Sequence, residues 1–144
     1  SSLVARPLGR FRWVTCASPD YLREYGVPPS PEALSQHRAV HYFSGQARRA
    51  DEFRFVRHGE TFSVPVSGNA AVNETGLYIK MCLAGFGLAQ LAENIVADHL
   101  QEGRLVEVLT DWQPPPVPVT LLYPHQRFLS PAVRAFAEWM SEVV

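Results

Sequence analysis

The chain has 144 residues, enough for one domain of ordinary size, and its 47% hydrophobic and 19% charged residues exclude long disorder. Thirteen basic residues against fourteen acidic ones leave a net charge of −1, without the basic excess of a domain that grips nucleic acid directly. No apolar run approaches the roughly 20 residues of a membrane helix, and the start SSLVARPLGRF lacks the apolar core of a signal peptide.

RFRWVTCAS (10–18) is rich in β-prone residues and predicts a strand. Ser18-Pro19 follows, an N-cap serine with proline at the first helical position. PDYLREYG is then one short helix with Tyr21, Leu22 and Tyr25 as candidates for its inner face and Gly26 as its stop. Ser30-Pro31 predicts a second, very short helix. RAVHYF (38–43) reads as a buried strand, and SGQARRAD as a polar loop. EFRFVRHGETFSVPVSG (52–68) is a β-hairpin turning at His58-Gly59, with Phe53 and Phe55 opposite Arg54 and Val56. NAAV (69–72) is a candidate further strand.

Asn73 is the expected cap of a helix through ETGLYIKMCLAG, with Leu77, Met81 and Ala84 on one face and Gly85 as its stop. FGLAQL is a short apolar strand. AENIVADHLQEG is a helix with Ile95, Val96, His99 and Leu100 inward. RLVEVLTDW (104–112) is a strand, and Pro114, Pro115, Pro116 and Pro118 make a stiff link. VTLLYP (119–124) reads as a buried strand. Ser130-Pro131 starts a last helix in which Val133, Phe136, Ala137, Met140 and Val144 recur at helical spacing. Strands and helices alternating in this order predict an α/β sandwich with a mixed sheet.

Gly85 and Gly87 are the closest glycine pair, and a phosphate loop is the sharpest reading of such a pair. That loop needs a strand before it and a helix start after it. Here the helix comes first and the strand follows, so the glycines read as backbone punctuation. His37 and His41 stand four apart, but the intervening RAV lacks the glutamate of a zincin motif. They read as scattered histidines, with no metal site. Cys16 and Cys82 lie in apolar segments and read as buried thiols, which suits a cytoplasmic protein. There is no Gly-x-Ser-x-Gly and no histidine paired with an obvious nucleophile, so the chain does not read as an enzyme. Neither does it imply a cofactor.

Two stretches remain as binding candidates. In α/β sheets ligands sit outside the carboxyl ends of strands, where Tyr42, Phe43 and Ser44 follow a predicted strand. Core packing of the two aromatics is an equal reading. Asn73, Glu74 and Thr75 open a helix, either as an ordinary surface cap or as a ligand-facing start. Glu74 there opposes a carboxylate ligand.

ASPDYL followed by G-x-P-x-x-P-E-x-L-x-x-H, then AGFGLAQL, then LYPHQRFLSPAVRAF run in an order that resembles the effector-binding domain of LysR-type transcriptional regulators. The resemblance covers essentially the whole chain. It implies a type 2 periplasmic-binding-protein-like fold, two α/β lobes with a small-molecule effector between them. Residues 1–17 would end the first lobe and cross from it, 18–108 would form the second lobe, and 109–144 would return to the first with a strand and helix. The family's winged helix-turn-helix and most of its first lobe are not in this sequence, so the chain reads as a fragment. DNA contact would come only through that N-terminal domain. On matching positions the resemblance places Ser18, Tyr42, Phe43, Ser44, Asn73, Glu74 and Thr75 in the effector cleft. It also implies a homo-oligomer. Aromatic and hydroxyl residues suit a small organic acid as effector. The solute-binding lobe of a transport system is the alternative function on the same fold.

Overall fold

The computed structural model describes residues 3–43, 52–125 and 130–143. Its strands are β1 (Leu3–Phe11), β2 (Trp13–Ala17), β3 (Arg38–Tyr42), β4 (Glu52–Arg57), β5 (Glu60–Pro65), β6 (Ser67–Val72), β7 (Ala89–Ala92), β8 (Val106–Val108) and β9 (Val117–Pro124). The helices are α1 (Pro19–Tyr25), α2 (Thr75–Leu83), α3 (Glu93–Gln101) and α4 (Pro131–Val143), with a 3-10 helix over Pro31–Gln36. The fold is α/β, and its strands pair in both senses. Two compact units form: Ser1–Phe11 with Pro116–Val144, and Arg12–Pro115.

In the larger unit, β2 pairs antiparallel with β7 on one side and β8 on the other. β3 pairs parallel with β6. A single parallel bridge, Ala39 to Leu88, joins the two groups, closed by Val40 N–H to Leu88 O and Leu88 N–H to Arg38 O, both 2.9 Å. The order across the sheet is therefore β6-β3-β7-β2-β8. Alternation sends successive side chains to opposite faces. Val14, Cys16, Val40, Ala89 and Leu91 pack with Tyr78 and Cys82 of α2 and Val96 of α3. Ala17, Ala39 and Leu88 pack on the other face with Tyr21, Leu34, Phe53 and Phe55. Each fully buried aromatic or aliphatic side chain there is worth about 1.5–3 kcal/mol.

Local chemistry starts α1 as its sequence predicts. Ser18 Oγ accepts the Tyr21 N–H at 3.1 Å, and Gly26 leaves the helix at φ +84°. The hairpin also forms, with His58 and Gly59 both at positive φ (53° and 77°), the conformation a two-residue turn between twisted strands requires. The segment after Ser30-Pro31 differs: it is a 3-10 helix, and Ser30 makes no side-chain cap bond. Short connectors commonly wind this way.

Helix α2 departs from its sequence reading at both its start and its face. Glu74, not Asn73, is the cap, its carboxylate accepting the Leu77 N–H at 2.5 Å. The inner face is Tyr78 and Cys82, while Leu77 is 47% exposed. Apolar residues surround this helix, so periodicity does not select a face. Tyr78 is selected because its hydroxyl accepts the Gln90 N–H at 2.9 Å. β8 is shorter than the predicted 104–112 because Leu109 turns at φ +55°.

In the smaller unit β1, a strand beyond the predicted 10–18 run, pairs antiparallel with β9. Helix α4 starts at Ser130, whose Oγ accepts the Val133 N–H at 3.2 Å. β9 is not the buried strand expected at 119–124: it alternates between half-buried and exposed, with Leu122 61% exposed. Of the expected inner face of α4, Ala137 is buried but Phe136 is 48% exposed, as is Trp139 at 56%; Val144 lies outside the described residues. Two strands and one helix offer too little surface to cover every apolar side chain. No helix among the described residues is long and apolar enough to cross a membrane.

Candidate functional site

The site arises where two neighbouring strands stop pairing. β3 meets the approach to β7 only at Ala39–Leu88. Beyond it, Val40, His41 and Tyr42 pair with β6, whereas Gln90, Leu91 and Ala92 pair with β2. The gap between them opens a cavity of about 410 Å³, lined by Val40 and Tyr42 on one wall and Gln90, Leu91 and Ala92 on the other. Trp13, in register with Ala92, and Ile95 of α3 extend it. Thr75 and Tyr78 enter from α2, and Glu52, Phe53 and Arg54 from β4. Every described lining residue belongs to the unit Arg12–Pro115. The cavity lies at the carboxyl end of β3, where α/β sheets hold ligands, and its volume is that of a small-molecule site.

The polar groups divide into committed and open ones. Gln90 is committed. Its Oε1 accepts the Arg54 N–H at 2.9 Å, and its Nε2 donates to Arg54 O at 3.0 Å and Thr15 Oγ1 at 3.1 Å. Burial pushes the Tyr78 phenol up, so that group stays protonated, and its ring meets Tyr42 edge-on with centroids 5.2 Å apart. The Tyr42 hydroxyl and Thr75 Oγ1 are 3.4 Å apart, a loose contact at the mouth. The side chains of Glu52 and Arg54 form no ion pair among the described residues. Among the described residues, the lining contains no serine, cysteine or histidine. It can hold a ligand by apolar contact, hydrogen bonds and charge.

Of the residues the sequence nominates, Tyr42 and Thr75 are brought together here. Phe43 is half-buried, its N–H bonded to Val72 O at 2.9 Å, and is not part of the lining. Asn73 precedes the cap and Glu74 supplies it. Ser18 sits beyond the other end of β2: Trp13 is level with Ala92 and Cys16 with Ala89, so β2 carries Ser18 away from the cavity. It is buried, and its Oγ serves α1. Ser44 lies outside the described residues. Trp13, Arg54 and Gln90 carry no local signal that would nominate them, since what unites them is the parting of β3 and β7.

The histidines of the His37–His41 pair are both buried. The Tyr21 hydroxyl accepts the Arg38 N–H at 2.9 Å and shares a hydrogen bond with His37 Nδ1 at 2.8 Å. Burial lowers the His37 pKa. Cys16 and Cys82 are buried free thiols; the Cys82 thiol lies 3.7 Å from the Cys16 carbonyl oxygen, and hydrogen bonding to Cys16 and burial push it up. Gly85 ends α2 at φ +87°. Gly87 serves by closeness instead, since a Cβ there would lie 2.8 Å from Arg38 O.

The family model "LysR substrate binding domain" matches residues 1–144. The chain is 34% identical over 142 residues to the HTH-type transcriptional regulator YhjC of Escherichia coli, covering 99% of this chain and 48% of that protein. It is 36% identical over 143 residues to an HTH-type transcriptional repressor of Pseudomonas aeruginosa, covering 99% and 45%. The chain thus spans about half the length of these relatives. Among solved structures, full-length AphB, a virulence activator of Vibrio cholerae, superposes with a TM-score of 0.78 at 26% identity, over 99% of this chain and 48% of that one. CrgA of Neisseria meningitidis superposes with a TM-score of 0.80 at 24% identity, over 99% and 48%, a likeness of fold.

Proposed function

Because the chain belongs to the LysR substrate binding domain family, we propose that it is the effector-sensing part of a LysR-type transcriptional regulator. A small molecule held in the crevice between β3 and β7 biases the arrangement of the whole regulator on DNA. It does so only to the extent that it binds one arrangement better than another. The observation that carries this reading is the placement of the cavity at the carboxyl end of β3, with the Tyr42 and Thr75 hydroxyls at its mouth.

The second lobe expected at 18–108 lies within the compact unit Arg12–Pro115, which supports its assignment as that lobe. β1, β9 and α4 belong by this reading to the first lobe. The exposed Leu122, Phe136 and Trp139 are then surface that the rest of that lobe and neighbouring subunits cover. The regulator acts as a homo-oligomer in the cytoplasm and touches DNA through an N-terminal helix-turn-helix. It is not an enzyme, and its effector belongs to the small organic acids, amino acids included. The solute-binding lobe of a transport system gains no support from the regulators that match.

The coding frame upstream of Ser1 tests the reading directly. A helix-turn-helix followed by the remainder of a first lobe is expected. A secretory signal peptide with no helix-turn-helix would replace the regulator with a solute-binding protein.

A further inference from the structure

Resting on the crevice as the effector site, we infer that its ligand is a zwitterion, an α-amino acid with an aromatic or large aliphatic side chain. Glu52 and Arg54 are two residues apart on one strand and leave it on the same side, about 7 Å apart at their origins. Both line the cavity, and neither side chain is neutralised by an ion pair among the described residues. A simple anion would pair with Arg54 and leave its charge facing Glu52. A simple amine would do the reverse. An amino acid presents carboxylate and ammonium on adjoining atoms, so the two flexible side chains converge on both. The guanidinium takes the carboxylate as a planar, two-bond pair, and the glutamate takes the ammonium.

The rest of the cavity fits the same class. Trp13, Tyr42 and Ile95 offer an apolar chamber for a side chain. Gln90 does not compete for the ligand, because its amide is spent on the backbone of Arg54. Those two bonds fix the strand from which Arg54 reaches, so the anchor is presented from a held backbone.

Titration calorimetry on the 144-residue chain tests this with three probes that share a phenyl ring: L-phenylalanine, 3-phenylpropionate and 2-phenylethylamine. Amide NMR locates the binding. L-Phenylalanine is expected to bind about tenfold more tightly than either single-charge analogue, with shifts at Trp13, Tyr42 and Thr75. Arg54→Gln should erase its advantage over the amine, and Glu52→Gln its advantage over the acid. Both positions are exposed, and an unchanged melting temperature checks that the variants fold. Equal affinity for all three probes with the same shifts would overturn the zwitterion while leaving the crevice as a ligand site. Absence of crevice shifts with every probe at 10 mM, on the order of the weakest specific affinities, would overturn the inference as well. The crevice itself is judged separately, by its blockage in the longer regulator.

Discussion

The side-chain amide of Gln90 pairs with both backbone groups of Arg54, at 2.9 and 3.0 Å. A side chain here does what a neighbouring strand would do, and it ties the hairpin β4–β5 to β7. Gln90→Leu keeps the volume and removes both bonds, along with the one to Thr15. A loss of about 1–3 kcal/mol in urea unfolding is expected, with raised amide exchange confined to β4 and β5. An unchanged exchange pattern would mean the hairpin is held by its other ties, the Phe53 and Phe55 burial, the Val56 N–H to Gln113 O bond and the Arg57–Glu32 pair.

Two glycines flank β3 so closely that no side chain fits. A Cβ at Gly68 would lie 1.9 Å from Ala39 O, and one at Gly87 2.8 Å from Arg38 O. Backbone cannot yield as a side chain can, so Gly68→Ala and Gly87→Ala should each cost about 1–3 kcal/mol or more. At Gly59, with φ +77° and open space around it, Asn is tolerated in the turn, and Gly59→Asn should cost less than about 1 kcal/mol. Urea midpoints of the three variants check the order.

The Tyr21–His37 pair gives a pH dependence. Burial lowers the His37 pKa below its ordinary 6.5, so between the folded pKa and 6.5 the unfolded chain binds the extra proton. Stability from this group is therefore complete above pH 6.5 and falls as the pH drops below it. His37→Asn keeps a hydrogen-bond partner for the Tyr21 hydroxyl and removes the titration. Its melting temperature should fall less than that of the parent chain between pH 6.5 and 5. Identical profiles would place the acid sensitivity elsewhere.

Tyr21→Phe removes one atom with two partners. It leaves the Arg38 N–H and His37 Nδ1 unpaired, at a cost of about 1–3 kcal/mol. The double variant Tyr21→Phe with His37→Leu should recover part of that loss, because one of the two orphaned groups is then gone. No recovery would assign the whole cost to Arg38.

What was legible in the sequence was local. Ser18-Pro19 and Ser130-Pro131 announce helices because a cap and a fixed φ act over three residues, and His58-Gly59 announces a turn for the same reason. The face of α2 was not legible: Leu77, Ile79, Met81 and Leu83 surround it, and the choice falls to a bond between Tyr78 and Gln90, twelve residues on. Gly87 looked like a turn residue, yet its reason is a neighbouring carbonyl on another strand. The Tyr42 and Thr75 ends of the site could be nominated from their places after strands. Trp13, Arg54 and Gln90 could not, because the cavity is made by two strands parting after a single bridge, which no local pattern encodes.

Blocking the crevice in the longer regulator tests the account most directly. Thr75 is exposed at the cavity mouth, so Thr75→Trp fills the opening with little cost to the fold. In a deletion strain complemented with parent or variant, chromosomal occupancy and transcript levels are measured together across growth media. The expected result is that the Thr75→Trp regulator still occupies its sites while transcription there no longer follows the medium. A variant that occupies the same sites and responds as the parent does would contradict it.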